Sequence, residues 1–373
     1  MSRADRVGFR SGLQVDMPLL LCIVAIATLG VVNLYSATSV YIDAGRRAGL
    51  ADIYVSQVYW IVVGGLMGIT VAVIDYRHFE RLAYFLYAGG IVSLGLVFVL
   101  GADIRGSSRW IQLGSFSFQP SEFMKVLVVL AIAKYLHDDA RTEPRTLFDL
   151  SPAFLLTGLP VALVMAQPDL GTSLVILLTV GTILAMVKIR RRSLAILVIT
   201  AVSAPPIFWR YLMKDYQKAR ITSFLDPESD KTGAGWHAFQ SKTAIGNGGL
   251  TGDGFMQGTQ NQFGFLPDQH SDFPFAVFAE DWGFAGSAVL LALYCFLCIW
   301  AVHVASQSKD RFGAAVAIGV GALVFWHTTF NVGMAMGVLP VVGVTLPLFS
   351  YGGSSVVTVL VSLGLLMNVS MRR

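Results

Sequence analysis

Charge is what this chain has least of. Asp, Glu, Lys and Arg make up 13% of its 373 residues, about half the roughly 25% of a soluble domain. With 55% hydrophobic residues and a mean hydropathy of +0.65, the deficit excludes an ordinary soluble fold and points to a polytopic membrane protein. It also removes charge as an argument for nucleic acid. The net +4 comes mostly from basic residues between apolar segments, where they set topology. Cysteine is rarer still: Cys22, Cys295 and Cys298 all lie in apolar stretches. Cys295 and Cys298 share a helix face, but no further Cys accompanies them. All three read as small core residues rather than metal ligands. A cleavable signal is missing too. Arg3, Arg6 and Arg10 precede an apolar run too long for a signal peptide, so that run is expected to stay as an anchor.

What the chain has instead is long apolar runs. A spanning helix needs about 20 mostly apolar residues. Ten segments qualify, at approximately 17–37, 55–74, 82–100, 120–137, 152–167, 170–187, 193–213, 274–302, 312–336 and 345–369. Runs of this length predict an all-α polytopic membrane protein, one integral membrane domain over residues 1–373. The fifth and sixth are short and separated only by Gln167-Pro168-Asp169, which suggests a tight hairpin. Sixteen Lys and Arg fall on the side of the N-terminus and four, Arg46, Arg47, Arg105 and Arg109, in short loops on the other. That excess places both termini in the cytoplasm.

The region from 214 to 273 does not look like membrane. It is expected to be a large extracytoplasmic loop, too long for a simple connector. It holds nine glycines between Gly233 and Gly264, with Trp236, Phe239, Phe255, Phe263 and Phe265 among them. Flexible linkers lack such aromatics.

At the end of this loop Asp268, His270 and Asp272 alternate just ahead of Pro274 and an apolar run. Asp272 has two readings. It can cap the helix that starts there, with Pro274 at an early position. It can also do chemistry, because acids beside hydrocarbon are costly and functional by default. Asp268 and His270 read as loop solvation. Arg105 and Arg109, beside Trp110, are either an aromatic belt with snorkelling cations or a grip on phosphate. Glu122 and Lys125 lie i,i+3 within an apolar run, so they should pair and line a polar cavity. Asp169 either caps the sixth segment or faces the same cavity. Pro347 to Ser355 interrupts the last segment, as a packed kink or as a break that lines a binding cavity.

Five stretches in order, "RWIQLGSFSFQPSEFMK", "QPDLGTS", "AIGNGGLTGDGFMQGTQ", "FLPDQHSDFPFAVFAEDWGFAG" and "NVGMAMGVLPVVGVTLPLFSYGGSS", resemble the SEDS family (shape, elongation, division and sporulation). The resemblance covers about residues 105–356, and the ten-segment pattern extends it over the chain. It implies a peptidoglycan glycosyltransferase that polymerises lipid II on the outer face of the cytoplasmic (inner) membrane. Val342 stands where the division branch typically has Lys, which indicates the elongation branch. The family's essential Asp falls on Asp272, expected to be the general base that takes a proton from the acceptor sugar hydroxyl, with inversion at the donor. Arg105, Arg109, Glu122, Lys125, Lys242, His270, Ser350 and Ser354 are the expected substrate-binding residues. Arg109 and Lys125, with Lys242, would meet the leaving diphosphate. The chain departs from the family pattern at Ser271 for Thr, Asp268 for Glu and Asp281 for Glu. No cofactor is required by this reading. A divalent cation, Mg or Mn, would suit the diphosphate, although the sequence shows no ligand cluster. The implied partner is a class B penicillin-binding protein.

Three rival functions stand beside this reading. A lipid II flippase needs the broken helices but no exposed Asp272. A non-catalytic scaffold predicts that Asp272 is replaceable. An ion-coupled transporter would want paired acids deep in its helices, which apart from Glu122 are missing.

Overall fold

A computed structural model of the chain describes residues 14–43, 52–104, 107–113, 116–139, 141–211, 213–226, 234–266 and 268–373. Among them run α1 (Met17–Asp43), α2 (Ile53–Val73), α3 (Tyr76–Leu100), β1 (Ala102–Ile104), β2 (Ser107–Leu113), β3 (Phe116–Phe118), α4 (Pro120–Asp138), α5 (Ser151–Ala166), α6 (Leu170–Ala185) and α7 (Arg191–Tyr211). Then follow α8 (Asp215–Leu225), α9 (Ala234–Asn247), the single turn α10 (Thr259–Gln262), α11 (Pro274–Gln307), α12 (Arg311–Ala335) and α13 (Gly353–Arg372).

Lipid offers the backbone no hydrogen-bond partner, so every long apolar run closes its own bonds as helix. Among the described residues seven helices, α1, α2, α3, α7, α11, α12 and α13, are long and apolar enough to cross a membrane. The other three expected spans are helices of another kind. α4 has the length but carries Glu122, Lys125, Lys134 and Asp138. α5 and α6 have 16 residues each, about 24 Å against a hydrocarbon core of about 30 Å. Each of the ten expected segments contains a helix, and seven of these helices qualify as spans by length and apolarity.

Burial is graded across the bundle. Over their most apolar windows α13 is 83% and α12 67% buried inside the protein, whereas α7 is 6% buried. α12 packs against α4, α6, α11 and α13, and α13 lies along α2. The α2–α13 contact is backbone on backbone: a Cβ on Gly364 would stand 2.4 Å from the Gly68 carbonyl oxygen. Small residues permit such contacts in lipid, where apolar surface alone gives no drive to associate.

Several local features depart from expectation. Residues 102–104, 107–113 and 116–118, expected as loop, form an antiparallel sheet in the order β1-β2-β3. The last segment, expected from about 345, becomes helix only at Gly353, and residues 336–352 run as an irregular strap. Leu346, Leu348, Phe349 and Ser350 in it are at most 2% exposed. Protein, not lipid, therefore surrounds this non-helical backbone. The long loop is not featureless, since it contains α8, α9 and α10. Of the cysteines only Cys22 is buried; Cys295 is exposed and Cys298 half-buried.

Candidate active site

A cavity of about 310 Å³ opens where β2, the first turns of α4 and α6, α8, α12, the strap and the approach to α11 converge. Arg109, Glu122, Asp169, Arg220, Asp272 and His327 all line it. Four of these six were singled out from the sequence and lie up to 163 positions apart, from Arg109 to Asp272.

Asp272 reaches this wall without serving as the helix cap. α11 begins with Pro274, and its N-cap is Phe273, whose side chain makes no cap hydrogen bond. The Asp272 backbone is fixed from both sides. Its N–H donates to the Asp268 carbonyl at 3.0 Å. Its own carbonyl accepts from the Asn331 amide at 2.9 Å, and the same Asn331 nitrogen donates to the Val344 carbonyl at 2.8 Å. Asn331 on α12 thus registers Asp272 against the strap. Beside it, the Tyr351 N–H donates to the His270 carbonyl at 2.8 Å.

Arg109 and Asp169 form one corner. Asp169 caps α6, its Oδ1 accepting from the Thr172 N–H at 3.2 Å. Capping and facing the cavity, posed as alternatives, are both true of it. Arg109 lies 3.6 Å from the Asp169 carboxylate, donates from Nε to the Gln167 carbonyl at 3.0 Å, and donates from Nη2 to the Pro168 carbonyl. Its fork is thus largely spent on the turn between α5 and α6.

Lys125 lies beneath Glu122 and is 3% exposed. Its ammonium donates to both Glu122 oxygens, at 2.9 and 2.8 Å, and sits 2.9 Å from His327 Nε2. Lysine can only donate, so Nε2 must present its lone pair. The ring proton then lies on Nδ1, which donates to the Thr345 carbonyl at 3.0 Å. The three Lys125 protons have three internal acceptors, so Lys125 is enclosed behind Glu122 and His327 rather than in the cavity lining.

The remaining candidates fall elsewhere. Arg105 lies outside the described residues. Lys242 is exposed on α9, beside Gly337 rather than in the cavity wall. Ser350 is buried, its Oγ accepting from the Leu346 N–H at 2.8 Å within the strap. Ser354 accepts from the Gln119 N–H at 3.2 Å and donates to the Ser117 carbonyl at 3.1 Å, tying α13 to β3. His270 contributes its carbonyl to the strap, and its ring lies 6.2 Å from that of Tyr351. Sequence reasoning missed Arg220, Asn331 and His327. Arg220, on α8, is half-buried and makes no ion pair among the described residues. Nothing in its spacing sets it apart from Lys214 or Lys218. The cue for His327 and Asn331 was only that polar residues sit within an apolar span.

Compared with known proteins, residues 17–373 match the model of the cell cycle protein family of FtsW, RodA and SpoVE. The chain belongs to this family. It is 40% identical over 339 residues to the peptidoglycan glycosyltransferase MrdB of Escherichia coli (strain K12), covering 91% of this chain and 90% of that protein. It is 30% identical to the peptidoglycan glycosyltransferase RodA of Treponema pallidum, over 96% of this chain and 98% of that one. Among solved structures it resembles a chain of a peptidoglycan synthase complex that coordinates polymerization and crosslinking, with a TM-score of 0.82, 33% identity, and 96% and 98% of the two chains covered. It also resembles RodA of Thermus thermophilus, with a TM-score of 0.70, 30% identity, and 97% and 98% covered. The family member described here is accordingly an all-α polytopic membrane enzyme, a glycosyltransferase of the RodA, or elongation, type.

Proposed function

We propose that this peptidoglycan glycosyltransferase polymerises lipid II on the outer face of the cytoplasmic (inner) membrane, its termini cytoplasmic, with Asp272 as general base. The observation that carries the reading is the convergence of Asp272, Arg220 and Arg109 on one cavity. In the donor, the anomeric carbon is bonded to undecaprenyl diphosphate. The acceptor 4-hydroxyl is a poor nucleophile until it loses its proton. Asp272 takes that proton while the oxygen attacks the anomeric carbon. The carbon–oxygen bond to the diphosphate breaks with its electron pair staying on the diphosphate, and the α-linked donor becomes a β-linked product. A single displacement needs one base, unlike the two carboxylates that flank the bond in hydrolases.

Charge then develops on the leaving diphosphate, and cations fixed in advance stabilise it. Arg220 is available for this. Arg109 adds its field from a position held by the α5–α6 turn, and Glu122 and His327, backed by Lys125, give the cavity a polar wall. A resident metal does not fit the donor set. Among the described residues no three His, Cys, Asp or Glu come together as ligands. Glu122 and Asp169 are already engaged by Lys125 and Arg109. The proposed steps therefore use none.

Purified protein given lipid II in detergent tests the reading, because a flippase has no bilayer to act on there. Asp272→Asn keeps the shape and removes the basicity, so polymerisation should fall at least about 100-fold with the melting temperature unchanged. Near-normal glycan from the Asn variant would remove Asp272 from the mechanism.

The similarity to a chain of a peptidoglycan synthase complex supports pairing with a crosslinking partner, a class B penicillin-binding protein. Gly319 and Gly321 of α12 are a poor docking surface, since Gly319 meets Val129 and Ile183 and Gly321 meets Ala301 within the bundle. Co-purification tests the pairing. A polymerisation rate that stays flat while the complex forms would mean that the partner tethers without activating.

A further inference from the structure

A second cavity, of about 390 Å³, lies at the other end of the same helices. It is lined by Leu136 of α4, Ile183 of α6 and Ala315 of α12. On those helices the catalytic cavity uses Glu122, Thr172 and His327, 14, 11 and 12 residues away. At 1.5 Å per residue the two cavities are separated by roughly 20 Å along the bundle. The second one therefore belongs to the opposite membrane face, and the chemistry above makes no use of it.

Its walls have two characters. Leu136, Ile183 and Ala315 form a buried apolar floor, at 7%, 1% and 8% exposure, and Met186 stands 60% exposed nearby. The rim is basic, with Arg141, Arg145, Lys188 and Arg311. It is also built rather than accidental. The Arg145 N–H donates to the Lys188 carbonyl and the Arg190 N–H to the Arg145 carbonyl, both at 2.9 Å, which joins the α4–α5 and α6–α7 connections. Buried Arg145 donates to the Asp139 carboxylate at 3.1 Å, and Arg311 to the Asp139 carbonyl at 3.2 Å.

The charge count decides what such a site can hold. Asp139 and Asp149 are consumed by Arg145 and Arg141. Glu143 is the remaining acid in the lining, against Lys188 and Arg311, neither of which pairs with a carboxylate among the described residues. Arg190, Arg191 and Arg192 follow at once in the chain. An apolar floor continuous with membrane helices, under a rim with surplus cations, suits a ligand that is an anion at one end and hydrocarbon at the other. We propose that this cavity binds the headgroup and first acyl carbons of an anionic phospholipid from the leaflet opposite the catalytic cavity. The phosphate lies between Lys188 and Arg311, and the chain start lies over Leu136 and Ala315.

Native mass spectrometry of the full chain, purified in detergent and given equimolar phosphatidylglycerol and phosphatidylethanolamine, tests the site. The wild type should retain one phosphatidylglycerol in preference to phosphatidylethanolamine by about tenfold, and Lys188→Gln with Arg311→Gln should abolish that preference. Lys188→Arg with Arg311→Lys should keep it, which separates charge from folding. Ala314→Phe, a cavity-filling change that leaves the rim charges in place, should lower retention of both lipids at this site. Equal retention by the wild type, or an unchanged preference in the Gln variant, overturns the proposal. So does displacement of the lipid by millimolar inorganic phosphate alone, which would mark a free-anion site. Polymerisation in detergent serves as the folding control and should not change in any of these variants.

Discussion

The two ends of α4 carry ion-paired clusters built from the same kinds of side chain in opposite surroundings. At the catalytic end Lys125 and Glu122 have side chains 3% and 9% exposed. At the other end Arg141 and Asp149 are 60% and 22% exposed. Water decides what each pair is worth. The buried pair had to give up hydration, so each partner depends on the other to offset that loss. The exposed pair gains little from meeting, because solvent already serves both charges. The first cluster is therefore a unit that fails as a whole, and the second is a set of replaceable contacts.

The largest expected effect tests the first half of that comparison. Glu122→Leu leaves the Lys125 ammonium buried with His327 as its remaining acceptor, which should cost on the order of 3–5 kcal/mol. Thermal unfolding in detergent would show it as a large drop in melting temperature. Glu122→Leu with Lys125→Met removes both charges and should recover much of the loss. Equal losses in the single and double variants would show that the pair does not act as a unit. A smaller effect is expected at Arg220, which borders the catalytic cavity and makes no ion pair among the described residues. Arg220→Gln should lower polymerisation by roughly 10- to 100-fold while the melting temperature holds. Arg220→Lys should fall between, since it keeps the charge and loses the fork. A wild-type rate from the Gln variant would leave Arg109 as the cation that meets the diphosphate.

The smallest effect is expected at the exposed end. Hydrogen bonds from the backbone and hydroxyl of Thr146, followed by Arg141, hold the Asp149 carboxyl down at about 2. Unfolded aspartate titrates near 3.9, so this group adds stability that is present above about pH 4 and lost as pH falls toward 2. Melting curves of the wild type and Asp149→Asn should differ slightly above pH 5 and converge between about pH 4 and 2. A gap that persists at pH 2 would assign the difference to something other than this carboxylate.

The helices were legible because lipid leaves a long apolar run one backbone solution. The place of Asp272 on the cavity wall was legible because an acid beside hydrocarbon needs a reason. What stayed hidden was whatever depends on the third dimension. Arg220 gains its meaning only when α8 folds over the cavity, and a basic residue in a loop has no periodicity to betray that. The pairing of Lys125 with Glu122 was legible from their spacing, but its third acceptor, His327, lies 202 positions away. Ser350 and Ser354 stood in a recognisable block, but their hydroxyls are spent on the strap and on β3. The Asp272 cap was misread by one residue, since Phe273 holds the cap position and the identity of a cap depends on backbone angles.

Asn331 gives one more consequence. Its amide ties Asp272 to α12, among the most enclosed helices of the bundle, whereas Arg220 rides on α8 in the long loop. On the proposed reading, the base is thus mounted on the helix bundle and the cation on the long loop. Spin labels should find the base at the same distance from α12 with and without lipid II, and the α8 cation at a different one. If Asp272 is the base and Arg220 the cation, that mounting would let an enzyme that adds one disaccharide after another loosen its hold on the diphosphate without losing its aim at the next hydroxyl.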